Sequence, residues 1–161
     1  MFVLCLTDPT GDTVYVFAYS WQPEFCYGED FPGCAEPEDW WLTHFTVHGL
    51  WPQYVDGGYP ASCSTEVLNT TVFDVIGMDT MTEYWPNVQD EEYTSSGEIN
   101  EEYYSFWDHE WSKHGTCSGL SQYDYFQDTI NLIKSFGTPS SVSDATGGEA
   151  EADSLREDFG G

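Results

Sequence analysis

Apolar and polar positions alternate in two stretches of this chain and recur at helical spacing in three others. Val14, Tyr15, Val16, Phe17, Ala18, Tyr19 and Ser20 form a β-branched and aromatic run that predicts a strand. Residues 40–50 predict a second strand, central in the sheet, where Phe45 and Val47 alternate against Thr46 and His48. Trp51-Pro52 is expected to end it. Residues 53–64 follow as a loop, with Asp56-Gly57-Gly58 as the turn signal. In residues 65–85, Phe73, Ile76, Thr80 and Tyr84 lie near helical spacing and Pro86 stops the run. Residues 88–100 are acidic and polar, a surface loop. Residues 101–114 predict a helix with Tyr103, Tyr104, Phe106, Trp107 and Trp111 as its apolar bulk. Residues 123–136 predict another, with Phe126, Ile130 and Ile133 on one face and Gly137-Thr138-Pro139 as its stop. Residues 140–161 turn to Ser, Gly, Ala and acid and read as a loop or tail. There is no internal repeat. Strands mixed with helices, without regular βαβ alternation, predict an α+β fold.

Composition narrows the function. A chain of 161 residues, 40% hydrophobic, fits one domain with a real core. Its formal net charge of −26 excludes a general nucleic-acid coat and an anionic-lipid binder. It leaves room for an enzyme with a small cationic pocket. No apolar run is long enough to span a membrane. The opening Met1-Phe2-Val3-Leu4-Cys5-Leu6 is too short for a signal-peptide core, so secretion is not encoded here or the N-terminus is incomplete. None of the five cysteines shows C-x-x-C spacing, which points to disulfides with one cysteine left over. Cys26 and Cys34 flank a Pro, Gly and acid-rich loop that a bridge would staple. Asn69-Thr70-Thr71 is an N-glycosylation acceptor pattern and agrees with export.

The chemistry concentrates in Phe106-Trp107-Asp108-His109-Glu110-Trp111-Ser112-Lys113-His114-Gly115-Thr116-Cys117. Only three residues of the chain are Lys or Arg, and one lies here between two histidines. On a helix at about 100° per residue, Glu110, Lys113 and His114 fall within about 140° of His109. That arc suits an anion that must be held and protonated. A metalloprotease pair would need histidines at i, i+4, about 40° apart, where His109 and His114 are at i, i+5; no metal or other cofactor is expected. His48, on a strand and followed by Gly49, supplies a second imidazole. Two imidazoles with Glu110 and Lys113 beside them match cleavage of RNA through its own 2′-hydroxyl. One neutral ring takes the 2′-OH proton and one charged ring protonates the leaving 5′-oxygen. Such a pair works on the acid side of neutrality. The acidic surround is expected to raise both histidine pKa values.

His48-Gly49-Leu50-Trp51-Pro52 and the segment 106–117 resemble the two active-site segments of the ribonuclease T2 family, with Tyr84-Trp85-Pro86-Asn87 fitting between them. The resemblance covers residues 14–136. It implies an α+β fold with a central antiparallel sheet flanked by helices. It also implies a metal-independent endoribonuclease that cleaves single-stranded RNA through 2′,3′-cyclic phosphates. By position, His48, Glu110 and His114 match the catalytic residues, His114 as base and His48 as acid. His109 and Lys113 match phosphate-contacting positions. Trp51 and Tyr59 match base-stacking aromatics. Cys63 and Cys117 match a family disulfide. Gln53 stands where some members place an acidic base-contacting residue, and Val55 where fungal members often have Cys. On this reading residues 1–139 form the catalytic domain. Residues 140–161 begin a missing C-terminal strand region, so the chain is truncated and Cys5 is without a clear partner. The expected partner is single-stranded RNA as substrate, with no DNA or membrane, for a monomer that is secreted or vacuolar/lysosomal. The rival expectation is a non-catalytic RNA-binding or effector protein on the same fold.

Overall fold

The computed structural model describes residues 2–7, 13–92, 94–145 and 149–158. Strands β1 (Phe2–Thr7), β2 (Thr13–Ser20) and β3 (Thr46–Tyr54) form an antiparallel sheet in the order β1-β2-β3. Around it lie α1 (Gln22–Phe25), α2 (Pro32–Ala35), α3 (Asp39–Thr43), α4 (Val72–Ile76), α5 (Met78–Tyr84), α6 (Ser105–Lys113), α7 (Gln122–Phe136), α8 (Ser140–Ser143) and α9 (Ala152–Asp158). The expected α+β class holds.

The middle strand among the described residues is β2, not the strand bearing His48, and this corrects the expectation. Pro52 shows why β3 tolerates the edge: it pairs across from Tyr15 with no N–H to donate. Nor does Trp51-Pro52 end the strand, which runs on to Tyr54. At the other end, Trp40 to Thr43 is helical, and β3 begins only at Thr46.

One irregularity matters for the site. Ala18 pairs with Gly49 and Tyr19 with Val47, so His48 is the extra residue of a β-bulge. The bulge shifts the alternation by one. Phe45, Val47 and Leu50 all reach the core, and His48 and Trp51 are left half-buried on the cleft side.

The core is aromatic. Phe17, Tyr19, Phe45 and Leu50 from the sheet meet Phe73, Met81, Trp85, Trp107, Trp111, Tyr125, Phe126 and Ile130 from the helices. Most polar handles of these rings are tied down, as burial favours, Trp85 Nε1 being buried without a partner. Tyr125 donates its hydroxyl to the Leu50 carbonyl at 2.9 Å, and Trp107 Nε1 donates to the Trp85 carbonyl at 2.9 Å. Residues 65–85 make two short helices, not one, because Gly77 takes φ 100° between them. A 3₁₀ turn at Glu101–Tyr104, capped by the Asn100 side chain, leads into α6. Ser121 caps α7 by accepting from the Asp124 N–H.

Past residue 139 the expected loop contains α8 and α9, with Val142 fully buried and Leu155 packed against the core. Cys26 bonds Cys34, and Cys63 bonds Cys117. No described helix is long and apolar enough to cross a membrane.

Candidate active site

Helix α6 turns Trp107 and Trp111 into the core, and this fixes what its other faces present. Glu110 is 2% exposed and His114, at the C-cap, is 6% exposed. Lys113 is half-buried and His109 exposed. From β3 come His48 and Trp51. The Trp51 indole contacts both imidazoles, 5.6 Å from the His48 ring and 5.4 Å from the His114 ring, centroid to centroid. The two imidazole centroids are therefore no further apart than about 11 Å. Trp51 Nε1 donates to Glu110 Oε2 at 2.8 Å, binding the strand to the helix inside the site. Gly49 makes that bond possible. A Cβ at this position would lie 2.2 Å from Glu110 Oε2 and 2.3 Å from Trp51 Nε1.

The structure thus brings His48, Trp51, Glu110 and His114 into one cluster. Lys113 and His109 act on His114 through charge. Tyr59, 56% exposed, places its ring 6.3 Å from that of His114. Gln53 stands apart. It pairs with Val14 in the ladder, and among the described residues no hydrogen bond or ring contact ties it to the cluster. His44 stacks on Trp40 at 3.5 Å, away from these groups. Among the described residues no group of three or more His, Cys, Asp or Glu is placed to hold a metal ion.

Two features escaped the sequence. Ser20 Oγ lies 3.3 Å from His48 Nδ1. Beyond His48 opens a pocket of about 90 Å³, lined by Ser20, Gln22, Asn87, Gln89 and Phe106 among others. The Oε1 of Gln22 is buried there with no hydrogen-bond partner. The segment Tyr84-Trp85-Pro86-Asn87 was the available signal, but nothing local says that it faces the end of β2.

Burial governs the ionisation. It pushes the Glu110 carboxyl up to about 7, against the opposing Trp51 N–H and the Lys113 charge. It also pushes His114 down to about 4, helped by the positive charges of Lys113, His109 and His48. His48 is lowered as well, by burial and then by neighbouring charge, His109 included. The expectation that an acidic surround raises these histidines is overturned. The carboxylates are mostly on the solvated surface, where water and salt screen them, whereas Lys113 and His109 act on His114 from close by.

A stability test follows. Glu110 takes its proton at about 7 when folded, against an ordinary carboxyl value of 4.5. Its stabilising contribution is complete below the unfolded pKa and is lost as pH rises through the folded one. His114 works oppositely, losing stability as pH falls from 6.5 through about 4. Glu110→Gln keeps an acceptor for Trp51 and removes only the first dependence. Urea unfolding across that range should show the variant gaining on the wild type as pH rises from about 4.5 to about 7. A difference independent of pH would contradict the burial of this carboxyl.

Known proteins bear on this geometry. The ribonuclease T2 family model matches residues 12–147. Intracellular ribonuclease LX of Solanum lycopersicum is 35% identical over 136 residues, covering 82% of this chain and 52% of the relative. A ribonuclease of Aeromonas hydrophila is 34% identical over 131 residues, covering 80% and 48%. The chain spans about half the length of the curated relatives it matches. Among solved structures, ribonuclease MC1 from bitter gourd seeds is similar at TM-score 0.58 and 28% identity, over 78% of this chain and 58% of that one. RNase NT in complex with 5′-AMP is similar at TM-score 0.61 and 26% identity, over 92% and 70%. With the match running through both segments of the cluster, the chain belongs to the ribonuclease T2 family.

Proposed function

We propose that the chain carries the active site of a metal-independent endoribonuclease that cleaves single-stranded RNA by 2′-OH attack. The observation that carries this is the pair His48 and His114, both in contact with one indole, with Glu110 and Lys113 alongside. His114, held down to about 4, is neutral at mildly acid pH and takes the 2′-OH proton. The 2′-oxygen then attacks phosphorus. The bond to the 5′-oxygen breaks, and charged His48 protonates that leaving group. The product is a 2′,3′-cyclic phosphate and a free 5′-hydroxyl. Water reopens the cyclic ester with the two roles exchanged.

Lys113 and His109 offer positive charge to the phosphorane-like transition state. Glu110, protonated at acid pH, can donate to a non-bridging oxygen. Trp51 and Tyr59 offer faces for base stacking, a contact worth ~1–3 kcal/mol per base. The pocket beyond His48, walled by the Phe106 ring, Asn87 and Gln89, offers a second place for a base. We assign this unit to residues 1–139, with residues 140–161 as an acidic Gly- and Ser-rich stretch that leads on from it, and Gln53 remains a proposed base contact on the strand beyond Trp51. Two disulfides and an exposed Asn69 acceptor fit a secretory or vacuolar protein acting as a monomer, without affinity for DNA or membrane.

The test is cleavage of a single-stranded RNA oligonucleotide in excess chelator near pH 5. Cyclic phosphate ends should accumulate, and the matching DNA oligonucleotide should stay intact because it lacks the nucleophile. RNA that survives, or DNA that is cut at a similar rate, defeats the reading. Binding of RNA without cleavage would favour a non-catalytic protein on this fold.

A further inference from the structure

We propose that Ser20 is the positioning residue for His48, its hydroxyl holding Nδ1 so that Nε2 faces the scissile phosphate. This rests on the acid role given to His48 above. Ser20 is the last residue of β2, and His48 is the extra residue of the bulge that faces it. The bulge brings Ser20 Oγ to 3.3 Å from His48 Nδ1. Two rings stand edge-on to the imidazole, Trp51 at 86° and Phe106 at 72°, each with its centroid 5.6 Å away. They hold the ring in place, and the hydroxyl, by engaging Nδ1, leaves Nε2 as the nitrogen that meets the phosphate.

Ser20 is itself fixed from behind. Gln22 Nε2 donates to Thr46 Oγ1 at 2.8 Å, and Thr46 Oγ1 donates to the Ser20 carbonyl at 3.3 Å. All three residues are buried. The titratable groups facing His48 are Glu24 on α1 and His109 and His114 on α6 and at its end.

A hydroxyl both donates and accepts, so it stays paired in either protonation state. When His48 is charged, Nδ1–H donates to Ser20 Oγ and Nε2–H faces the leaving oxygen. After Nε2–H is given up, Nδ1–H remains, and the free Nε2 lone pair is ready to take a proton from water in the second step. No proton moves to Ser20. A carboxylate at this place would hold the ring as well, but it would stabilise the imidazolium and make it a poorer acid.

The test compares Ser20→Ala and Ser20→Thr. Ser20→Ala should lower kcat about tenfold, what one neutral hydrogen bond supports, with KM within about twofold. Ser20→Thr should recover most of the loss. In a His48→Ala background, Ser20→Ala should cost nothing further. Nitrogen NMR should show a hydrogen-bonded Nδ1 of His48 in the wild type, and the Nδ1 shift should move in Ser20→Ala. The NMR reading stands apart from catalysis. Were the wild type inactive on RNA, the function above would fall and the Nδ1 shift alone would decide on Ser20. An unchanged Nδ1 shift and kcat in Ser20→Ala, or an equal loss without His48, would overturn the assignment.

Discussion

Replacing His114 by alanine should lower kcat/KM for RNA by about 10²–10⁴ on the proposed mechanism, and replacing His48 should do the same, the range that general acid–base groups supply. Their effects are not additive. Once either ring is gone the concerted proton path is broken, so the double variant should fall less than about tenfold below the worse single one. His109→Ala is the informative control. That ring is exposed and acts on its neighbours through charge, so its loss should be about tenfold or less. The pH profile separates the two roles. His114 is held at about 4 and His48 lies below 6.5 by a direction only. With His114 as base and His48 as acid, the enzyme is active between those two titrations. Activity falls below about 4 as the base is protonated, and falls on the alkaline side before 6.5 as the acid is emptied. A bound phosphate raises both values through its charge, so kcat should hold to higher pH than kcat/KM. The reverse assignment would need the more acidic ring charged and the other neutral, a minority form at every pH. His48→Ala should therefore erase the alkaline limb and leave the acid limb near its place. Full activity in either single alanine variant would end the two-histidine mechanism.

The sequence carried the site further than the sheet. Two short segments hold six of the eight proposed site residues, and their local patterns place His48 on a strand and Glu110 on a helix. The strand's extent was misread for a physical reason. Phe45 and Val47 alternate, but the next core residue is Leu50, and a bulge at His48 looks like a strand end to any period-two pattern. Pro52 strengthened the error, since only an edge strand accepts it. Gly77 divides a stretch whose apolar spacing is helical throughout, because its φ of 100° is fixed by the chain path and leaves no trace in periodicity. The contact of Ser20 with His48 depends on the register of two strands 28 positions apart, so no local reading could reach it. The histidine pKa values failed differently. Net charge is a property of the whole surface, whereas ionisation in the cleft is set by burial and by cations a few ångströms away.

Replacing both Cys63 and Cys117 by serine costs about 4 kcal/mol of stability, the second large effect. The bond closes a loop between positions 54 apart, and the chain-entropy account gives about that value for such a length. The same account gives only about 2–3 kcal/mol for Cys26–Cys34, at a separation of 8. The folded loop itself has other anchors. Ser62 N–H donates to the Lys113 carbonyl at 2.9 Å and Cys63 N–H to Thr116 Oγ1 at 3.1 Å. Trp111 Nε1 reaches the Glu66 carbonyl at 3.2 Å, and Gln122 bonds Glu66, Val67 and Asn69. These bonds keep the loop against the end of α6 while the protein is folded. The loss should therefore appear as a lower midpoint in urea with a steeper dependence on denaturant, since the unfolded chain expands further. Below that midpoint kcat should stay near wild type, because His48, Glu110 and His114 are held by the strand and helix. KM should rise about two- to threefold, since Tyr59 stands on the loosened side of the loop at less than one hydrogen bond's worth of contact. If the serine pair unfolds within about 1 kcal/mol of wild type, the anchoring bonds already restrict the unfolded chain and the loop-closure argument fails here. If kcat falls with KM unchanged, the bond positions His114 directly, and the end of α6 is less self-supporting than its hydrogen bonds indicate.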